Sequence, residues 1–249
     1  MNMRHNKFTL VELLVVICIA SLLMGLVLPA FSRMVTGSAV DRLASDLKLR
    51  LERAQSHAAS GRRHVALFLP HGNVSDTWSS DVHVVKAALG GSRMCYVDNV
   101  KVAEGSPEEY TAEFMRWIPD EDWTTPERGA FLVALSSSDP VDADGKISIP
   151  NHIAHNAALT GSVTNGADKN KPLKKITKVK FKSSDSEKTV SDAAVIFSPK
   201  GGIRSTADVY LVIAEAVSDG SKLLYPGGEI NNFRVLKINR LTGKVEYHR

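Results

Sequence analysis

The N-terminal part of the chain is a short basic segment followed by a long apolar run. The basic side chains are Arg4, His5 and Lys7, and residues 8–31 are uncharged apart from the carboxylate of Glu12. As a helix with a rise of 1.5 Å per residue, 8–31 would be about 36 Å long, whereas the hydrocarbon core of a bilayer is about 30 Å thick. The pattern therefore predicts a transmembrane helix whose basic end stays on the cytoplasmic side.

Beyond the apolar run, residues 32–60 mix apolar and charged positions at helical spacing. Intervals of three and four residues separate the apolar side chains Val40, Leu43, Leu47, Leu51, Ala54 and Ala58. Such a stripe is typical of a helix that packs one face on a folded domain. We therefore expect an amphipathic helix over 32–60 that ends at Gly61, with a bend but no break at Pro29.

Residues 61–249 consist mainly of short apolar runs separated by turn residues, which predicts strands. Seven runs begin at His64, Asp81, Ser92, Tyr110, Gly129, Ile176 and Ala193, and three more follow towards the C-terminus. A polar stretch at 136–175 predicts a surface loop. The expected fold class is α+β, with a long N-terminal α-helix, transmembrane in its first half and amphipathic in its second, packed on a C-terminal antiparallel β-rich domain.

Composition and cysteine usage restrict the function classes. The net charge of +4 and the isoelectric point near 9.0 suit a protein next to a membrane or at a cell surface, and are too mild to indicate nucleic-acid binding by themselves. Cys18 lies in the apolar run and Cys95 far from it, so we expect no disulfide between them. The sequence has no nucleophile elbow, P-loop or dinucleotide fingerprint, and we predict neither an enzyme nor a cofactor.

Three closely spaced aspartates are the one weak candidate for a metal site. Asp139, Asp142 and Asp144 lie in an acidic turn that resembles part of a calcium loop. An EF-hand register would place Pro140 at the first ligand position and Asn151 at the twelfth, where the loop needs an acidic ligand. We therefore interpret the stretch as a polar turn and predict no metal.

The start of the apolar run carries a family resemblance. Lys7-Phe8-Thr9-Leu10-Val11-Glu12 resembles the cleavage and methylation segment of type IV pilins and pseudopilins. The resemblance implies that residues 1–7 are a leader peptide and that a prepilin peptidase cuts between Lys7 and Phe8 and methylates the new amine of Phe8. Lys7 departs from the glycine that the family usually has before the cut, which bears on the efficiency of processing. Pro29 falls where the family has a helix-bending proline.

The resemblance also implies a role for Glu12 in assembly. When mature subunits of this family pack side by side, the N-terminal amine of one subunit meets the carboxylate of its neighbour. Phe8 and Glu12 would be that pair here, and a paired charge in a dry helix bundle costs much less than a lone one. Glu12 would then set the axial register of the subunits.

Both ends of the extracytoplasmic part are similar to one branch of the family, the GspH/FimT-type minor pseudopilins. The similar stretches are residues 46–69, 194–206, 209–216 and 233–249. They imply a lollipop-shaped structural subunit of a type II secretion pseudopilus or a type IV pilus, anchored by one pass in the bacterial inner membrane with its domain on the periplasmic or outer side. The implied partners are other subunits, the prepilin peptidase and the inner-membrane assembly platform.

An alternative function stays open at this point. FimT-like minor pilins bind DNA during uptake through basic residues near the C-terminus, and Arg240, Lys244 and Arg249 are the matching candidates here. Clustered cations neutralise phosphates. The modest net charge weighs against this alternative, and the structural subunit is the preferred reading.

Overall fold

The computed structural model has one long helix followed by strands in the part of the chain that it describes. It gives only the backbone for 25–37. The described residues are 10–69, 91–103, 106–124, 129–136, 139–147, 175–181, 187–190, 194–205, 207–218, 223–225 and 230–248. The leader 1–7, the apolar run from Asp81 and most of the polar stretch at 136–175 lie outside them.

The helix α1 extends from Leu10 to Gly61, and Pro29 lies inside it without ending it. The helix closes because Arg62 adopts a left-handed backbone conformation with φ of 51°. The amide of Arg63 then donates a hydrogen bond back to the carbonyl of Ala58 at 3.3 Å, which satisfies one of the last helical acceptors.

Twelve strands follow in the described residues. They are β1 (His64–Phe68), β2 (Arg93–Ala103), β3 (Ser106–Trp117), β4 (Ala130–Ser136), β5 (Lys175–Val179), β6 (Lys188–Val190), β7 (Ala194–Phe197), β8 (Val209–Glu215), β9 (Val217–Ser218), β10 (Leu223–Leu224), β11 (Phe233–Ile238) and β12 (Val245–His248).

The strands form two larger sheets and one short hairpin. The first sheet has the order β6-β5-β3-β2-β1-β7, the second has the order β12-β11-β8-β4, and β9 pairs with β10. All pairs are antiparallel except β3 with β5, where Thr111 lies opposite Lys175 in a parallel register. The second sheet includes the C-terminal hairpin, in which Ile238 pairs with Val245 across a short turn.

The second half of α1 packs against both larger sheets. It contacts β1 and β7 of the first sheet and β4, β8, β11 and β12 of the second. Its buried side chains are Ala39, Val40, Leu43, Ala44, Leu47, Leu51, Ala54 and Ala58. Their spacings of one, three and four residues place them on one face of the helix, and they join the main core with side chains from both sheets.

The first sheet is buried on both faces. In β1, Val65 and Leu67 belong to the core under α1, whereas Ala66 and Phe68 belong to a second buried cluster. Side chains of a strand alternate between faces, so these two sets lie on opposite sides of the sheet. This explains why β1 is apolar throughout and does not alternate with polar residues, as a strand with one wet face would.

The structure corrects the predicted fold class and the predicted location. No helix in the described part of the chain has an apolar stretch long enough to cross a bilayer. The predicted transmembrane half over 8–31, the lollipop with a membrane stem and the single-pass inner-membrane placement are therefore wrong.

The β part also differs from the prediction. We expected an antiparallel β-rich domain, but β3 and β5 run parallel, so the first sheet is mixed. A parallel pair needs a long connection between its strands, and 57 residues separate the end of β3 at Trp117 from the start of β5 at Lys175. Apolar runs in the sequence identify strands but carry no information on which strands pair.

The packing of α1 predicts different costs for two leucines on opposite faces. Leu47 is fully buried and Leu49 is 46% exposed. We expect Leu47→Ala to lower the free energy of unfolding by about 2–5 kcal/mol, because it leaves a cavity under both sheets, and Leu49→Ala by about 0.5 kcal/mol or less. Urea denaturation of the two variants measures this difference, and equal losses would contradict the inward orientation of Leu47.

Candidate functional site

The N-terminal end of α1 exposes apolar side chains on every side. We call Leu10–Met24 the apolar segment. Its large apolar residues are between 47% and 80% exposed, and they are Leu10, Val11, Leu13, Leu14, Val15, Val16, Ile17, Ile19, Leu22, Leu23 and Met24. Successive residues of an α-helix point about 100° apart, so this set covers the full circumference. A helix that is apolar all round is normally buried.

The apolar segment carries few groups capable of polar chemistry. Glu12 lies in the first turn of α1, where the positive end of the helix dipole favours a carboxylate. Ser21 donates its hydroxyl hydrogen to the carbonyl of Ile17 at 2.8 Å, so its polarity is satisfied within the helix. Cys18 is an exposed free thiol. Phe8 and Lys7, the predicted processing pair, lie outside the described residues.

Polar contacts fix the other half of α1 to the domain. Asp41 forms an ion pair with Arg234 of β11 at 2.7 Å. The side-chain amide of Gln55 donates to the carbonyl of Thr242 at 2.7 Å. At the opposite side, Arg50 lies 3.8 Å from the carboxylate of Glu121 in the segment after β3. The second half of the helix is thus held to the domain by polar contacts.

A junction of three segments lies beside the C-terminal hairpin. The loop after β7 reaches the turn between β11 and β12, where the amide of Ile203 donates to the carbonyl of Arg240 at 2.9 Å. At Gly202, with φ of 67°, a Cβ would lie 2.5 Å from the carbonyl oxygen of Leu241. Only glycine permits this approach of two backbones. At Gly243 a Cβ would lie 2.9 Å from the side-chain nitrogen of Gln55 in α1, so loop, turn and helix meet here.

The predicted DNA-binding residues are brought together only in part. Arg240 and Lys244 lie in the same turn, both exposed, while Arg249 is outside the described residues. Lys244 donates a hydrogen bond to Glu246, which raises the pKa of the lysine and lowers the pKa of the glutamate. The Arg240 amide donates to Asp208 at 2.8 Å.

Other cations of the second sheet are also paired. Lys237 forms an ion pair with Asp208 at 3.0 Å, and the hydrogen bond between them raises the pKa of Lys237. Arg234 is paired with Asp41. These carboxylates offset much of the positive charge that the sequence places near the C-terminus. DNA binding stays a prediction, and the exposed apolar segment supports assembly more strongly than these paired cations support DNA binding.

Two of the three candidate calcium ligands, Asp139 and Asp142, accept hydrogen bonds within the protein. Asp142 accepts the backbone amides of Asp144 and Lys146 at 3.0 and 2.8 Å, and so closes a tight turn. Asp139 accepts from the amide of Val141 and lies 2.7 Å from the ring of His248. In the described part of the chain, no three potential metal ligands lie close enough together to hold an ion. The sequence predicted this turn, because an aspartate side chain commonly accepts a hydrogen bond from the backbone amide two residues later.

Several residues that position the site had no signal in the sequence. Gln55 and Thr242 are 187 residues apart along the chain, yet they join α1 to the C-terminal hairpin. Asp41, Arg234 and Glu121 are ordinary surface charges by pattern. Their roles follow only from which strand lies beside the helix.

Comparisons with protein-family models, with curated proteins and with solved structures found no match to this chain. The residues and contacts described above therefore carry the functional argument.

The junction predicts a cost for a methyl group at Gly202. A Cβ there would meet the carbonyl oxygens of Leu241 and Arg240 at 2.5 and 2.6 Å, whereas a Cβ at Gly145, whose φ is also positive, meets nothing within 4 Å. Both alanine variants lose roughly 1–2 kcal/mol from the left-handed backbone. We expect Gly202→Ala to lose about 1–3 kcal/mol more, because two backbones must separate.

Chemical denaturation of the two glycine variants side by side checks this difference. The Gly145→Ala variant carries the shared backbone cost and so serves as the control. If both variants unfold at the same denaturant concentration, the close approach at the junction is not a constraint on the fold.

Proposed function

We propose that this chain is a pilin-like structural subunit that assembles into a filament through the apolar segment, Leu10–Met24. The observation that carries the proposal is the exposure of that segment on all its sides. Soluble monomers rarely leave a continuous apolar surface of this kind in water, and where they do it marks a contact site. The polar contacts that hold the rest of α1 leave this segment available for neighbouring subunits.

Because the apolar surface surrounds the whole helix, it favours contact with several neighbouring helices over contact with one. A single partner helix covers one face, as in a two-stranded coiled coil with a narrow seam. Apolar residues on all sides are satisfied in the centre of a bundle of helices, each from a different subunit. Burial contributes about 25 cal/mol per Å² of apolar surface, so it drives assembly strongly but gives little positional information.

Glu12 supplies the positional information in this proposal. A carboxylate in the interior of a helix bundle is stable only with a cation or with hydrogen-bond donors. Cleavage between Lys7 and Phe8 would create a new amine four residues before Glu12, and the amine of an adjacent subunit fits the charge of that carboxylate. Pairing then fixes one axial offset between neighbours, which the non-directional apolar contacts do not.

The partners follow from this arrangement. They are copies of this chain or related subunits that bring the same kind of helix, a prepilin peptidase that prepares the N-terminus, and the assembly platform of a type II secretion pseudopilus or a type IV pilus. The resemblance of 7–12 to the prepilin segment supports the choice of this class. Pro29 remains within α1, so the helix continues from the apolar segment to the domain.

Processing gives the first test of the proposal. Co-expression with a prepilin peptidase is expected to shorten the chain by residues 1–7 and to leave an N-methylated Phe8, because the basic leader precedes that bond. Intact-mass spectrometry measures both changes. A mature protein that begins near Ala30 would identify an ordinary secretory signal and contradict the proposal.

Assembly gives the second test, with two glutamates on the same helix compared. Glu12→Gln is expected to leave processing intact and to reduce entry into sheared filaments by roughly tenfold or more, since a charge-assisted pair contributes about 1.5–3 kcal/mol. Glu52→Gln is the control, because Glu52 forms only a long surface pair with Lys48 at 3.9 Å and such pairs contribute little.

The two native cysteines allow contacts between assembled subunits to be measured by crosslinking, without introducing new thiols. Cys18 lies midway along the apolar segment and is exposed, whereas Cys95 is buried, and its burial raises the pKa of its thiol. A bifunctional thiol reagent should therefore link assembled subunits through Cys18, and Cys18→Ser should abolish the product while Cys95→Ser should not. Equal entry of Glu12→Gln and wild type into linked complexes would refute the register role of Glu12.

A further inference from the structure

A basic cavity lies next to the junction and plays no part in the proposed assembly. Its volume is about 650 Å³, and it opens between the loop after β7 and the turn between β11 and β12. The cationic side chains that line it are Lys200, Arg204 and Arg240, and His64 contributes an imidazole. Its described lining contains no carboxylate.

Arg204 is the central cation of the cavity. It is half-buried, and its guanidinium donates hydrogen bonds to Nε2 of His64 over 3.3 Å from Nε and 3.2 Å from Nη2. Burial, together with the positive charge of Arg204, lowers the pKa of His64 below its ordinary value, which favours the neutral form of the ring. A neutral imidazole orients the guanidinium without cancelling its charge.

The described carboxylates near the cavity act on Arg240, Lys237 and His64. Asp208 accepts the backbone amide of Arg240, pairs with Lys237 and also acts on the positive charge of Arg240. Asp98 acts on His64 only through its charge. Among the described residues, no carboxylate forms an ion pair with Arg204. Arg204 and Lys200 thus place two positive charges on one concave surface, where an anion between them would be stabilised.

The backbone around the cavity is fixed. The amide of Arg204 donates to the carbonyl of Ile196 at 2.8 Å, and Ile203 is tied to Arg240 as described above. Gly202 lets the two walls touch, because a Cβ at this position would lie 2.5 Å from the carbonyl oxygen of Leu241. Binding a ligand here would not require the loop to be ordered first, which removes one of the usual entropic costs.

We propose that this cavity binds a phosphate group. A phosphate monoester carries a charge of about −1.5 to −2 at pH 7 and three acceptor oxygens, which matches several converging cations better than the single charge of a carboxylate does. The planar guanidinium of Arg204, held by His64, offers paired donors with the geometry that phosphate oxygens accept. The exposed ammonium of Lys200, which lines the same cavity, adds a second positive charge.

The inference is independent of the proposed assembly. The cavity is formed by β1, the loop after β7 and the C-terminal turn, whereas the apolar segment lies at the other end of α1. A subunit that failed to assemble would still bind phosphate, and loss of phosphate binding would leave the assembly proposal untouched.

The test uses the full chain, kept in solution by an uncharged detergent. Inorganic phosphate is titrated at constant ionic strength, with chloride as the balancing ion, while the melting temperature is followed. We expect a saturable rise, because a ligand that binds only the folded state stabilises it. Acetate at the same ionic strength should give no saturable rise, and an equal effect of acetate would contradict the choice of phosphate.

Two variants and a matched control locate the site. Arg204→Gln and Lys200→Gln should each weaken phosphate binding by roughly tenfold. Arg116→Gln should bind as wild type does, because Arg116 is exposed and lies over the ring of Tyr96, at 5.5 Å from its centroid, away from the cavity. Lys200 is exposed, so its variant tests the site even if Arg204→Gln fails to fold.

Duplex DNA separates the two sources of phosphate. Competition by DNA for the phosphate-induced shift would identify a nucleic-acid phosphodiester as a ligand of this cavity, whereas a phosphate shift insensitive to DNA would identify a small phosphate-bearing molecule. The absence of any saturable shift with phosphate, or a shift unchanged in both Arg204→Gln and Lys200→Gln, would overturn the inference.

Discussion

The packing of one helix face against two sheets is the constraint on which the rest of the structure depends. Val40, Leu47 and Leu51 of α1 are fully buried and belong to one core with residues of both sheets. In the described contacts, α1 touches β1 and β7 of the first sheet and β4, β8, β11 and β12 of the second. Removing the buried face of α1 would therefore expose both sheets at once.

Polar contacts turn that packing into a defined geometry. Apolar burial alone tolerates small sliding of a helix, because it depends on area and not on direction. The Asp41–Arg234 ion pair and the hydrogen bond from Gln55 to Thr242 tie α1 to the C-terminal hairpin at two points along its length. The same hairpin contacts the loop that carries Gly202, and the basic cavity lies between that loop and the hairpin turn. The position of α1 therefore helps to determine the shape of the cavity.

The two ends of α1 have opposite surfaces, and this asymmetry connects structure with the proposed function. From about residue 39 onward one face is buried and the other carries charges, which suits a helix on a domain. From Leu10 to Met24 all faces are apolar and exposed. The first arrangement is complete within one chain, whereas the second requires apolar surface from other molecules. The proposed subunit would therefore fold through its second helical half and contact other molecules through its first.

The sequence by itself determined the inward face of α1, the strands β1 and β7, and the demand of the apolar segment for burial, because these follow from local side-chain periodicity. The membrane span that we predicted from the apolar run 8–31 is wrong, because no helix in the described residues is long and apolar enough to cross a bilayer. Only the tertiary structure decided that β3 and β5 pair in parallel and that Arg204 meets His64, 140 residues earlier. Such contacts depend on how distant segments pack, which no local pattern encodes.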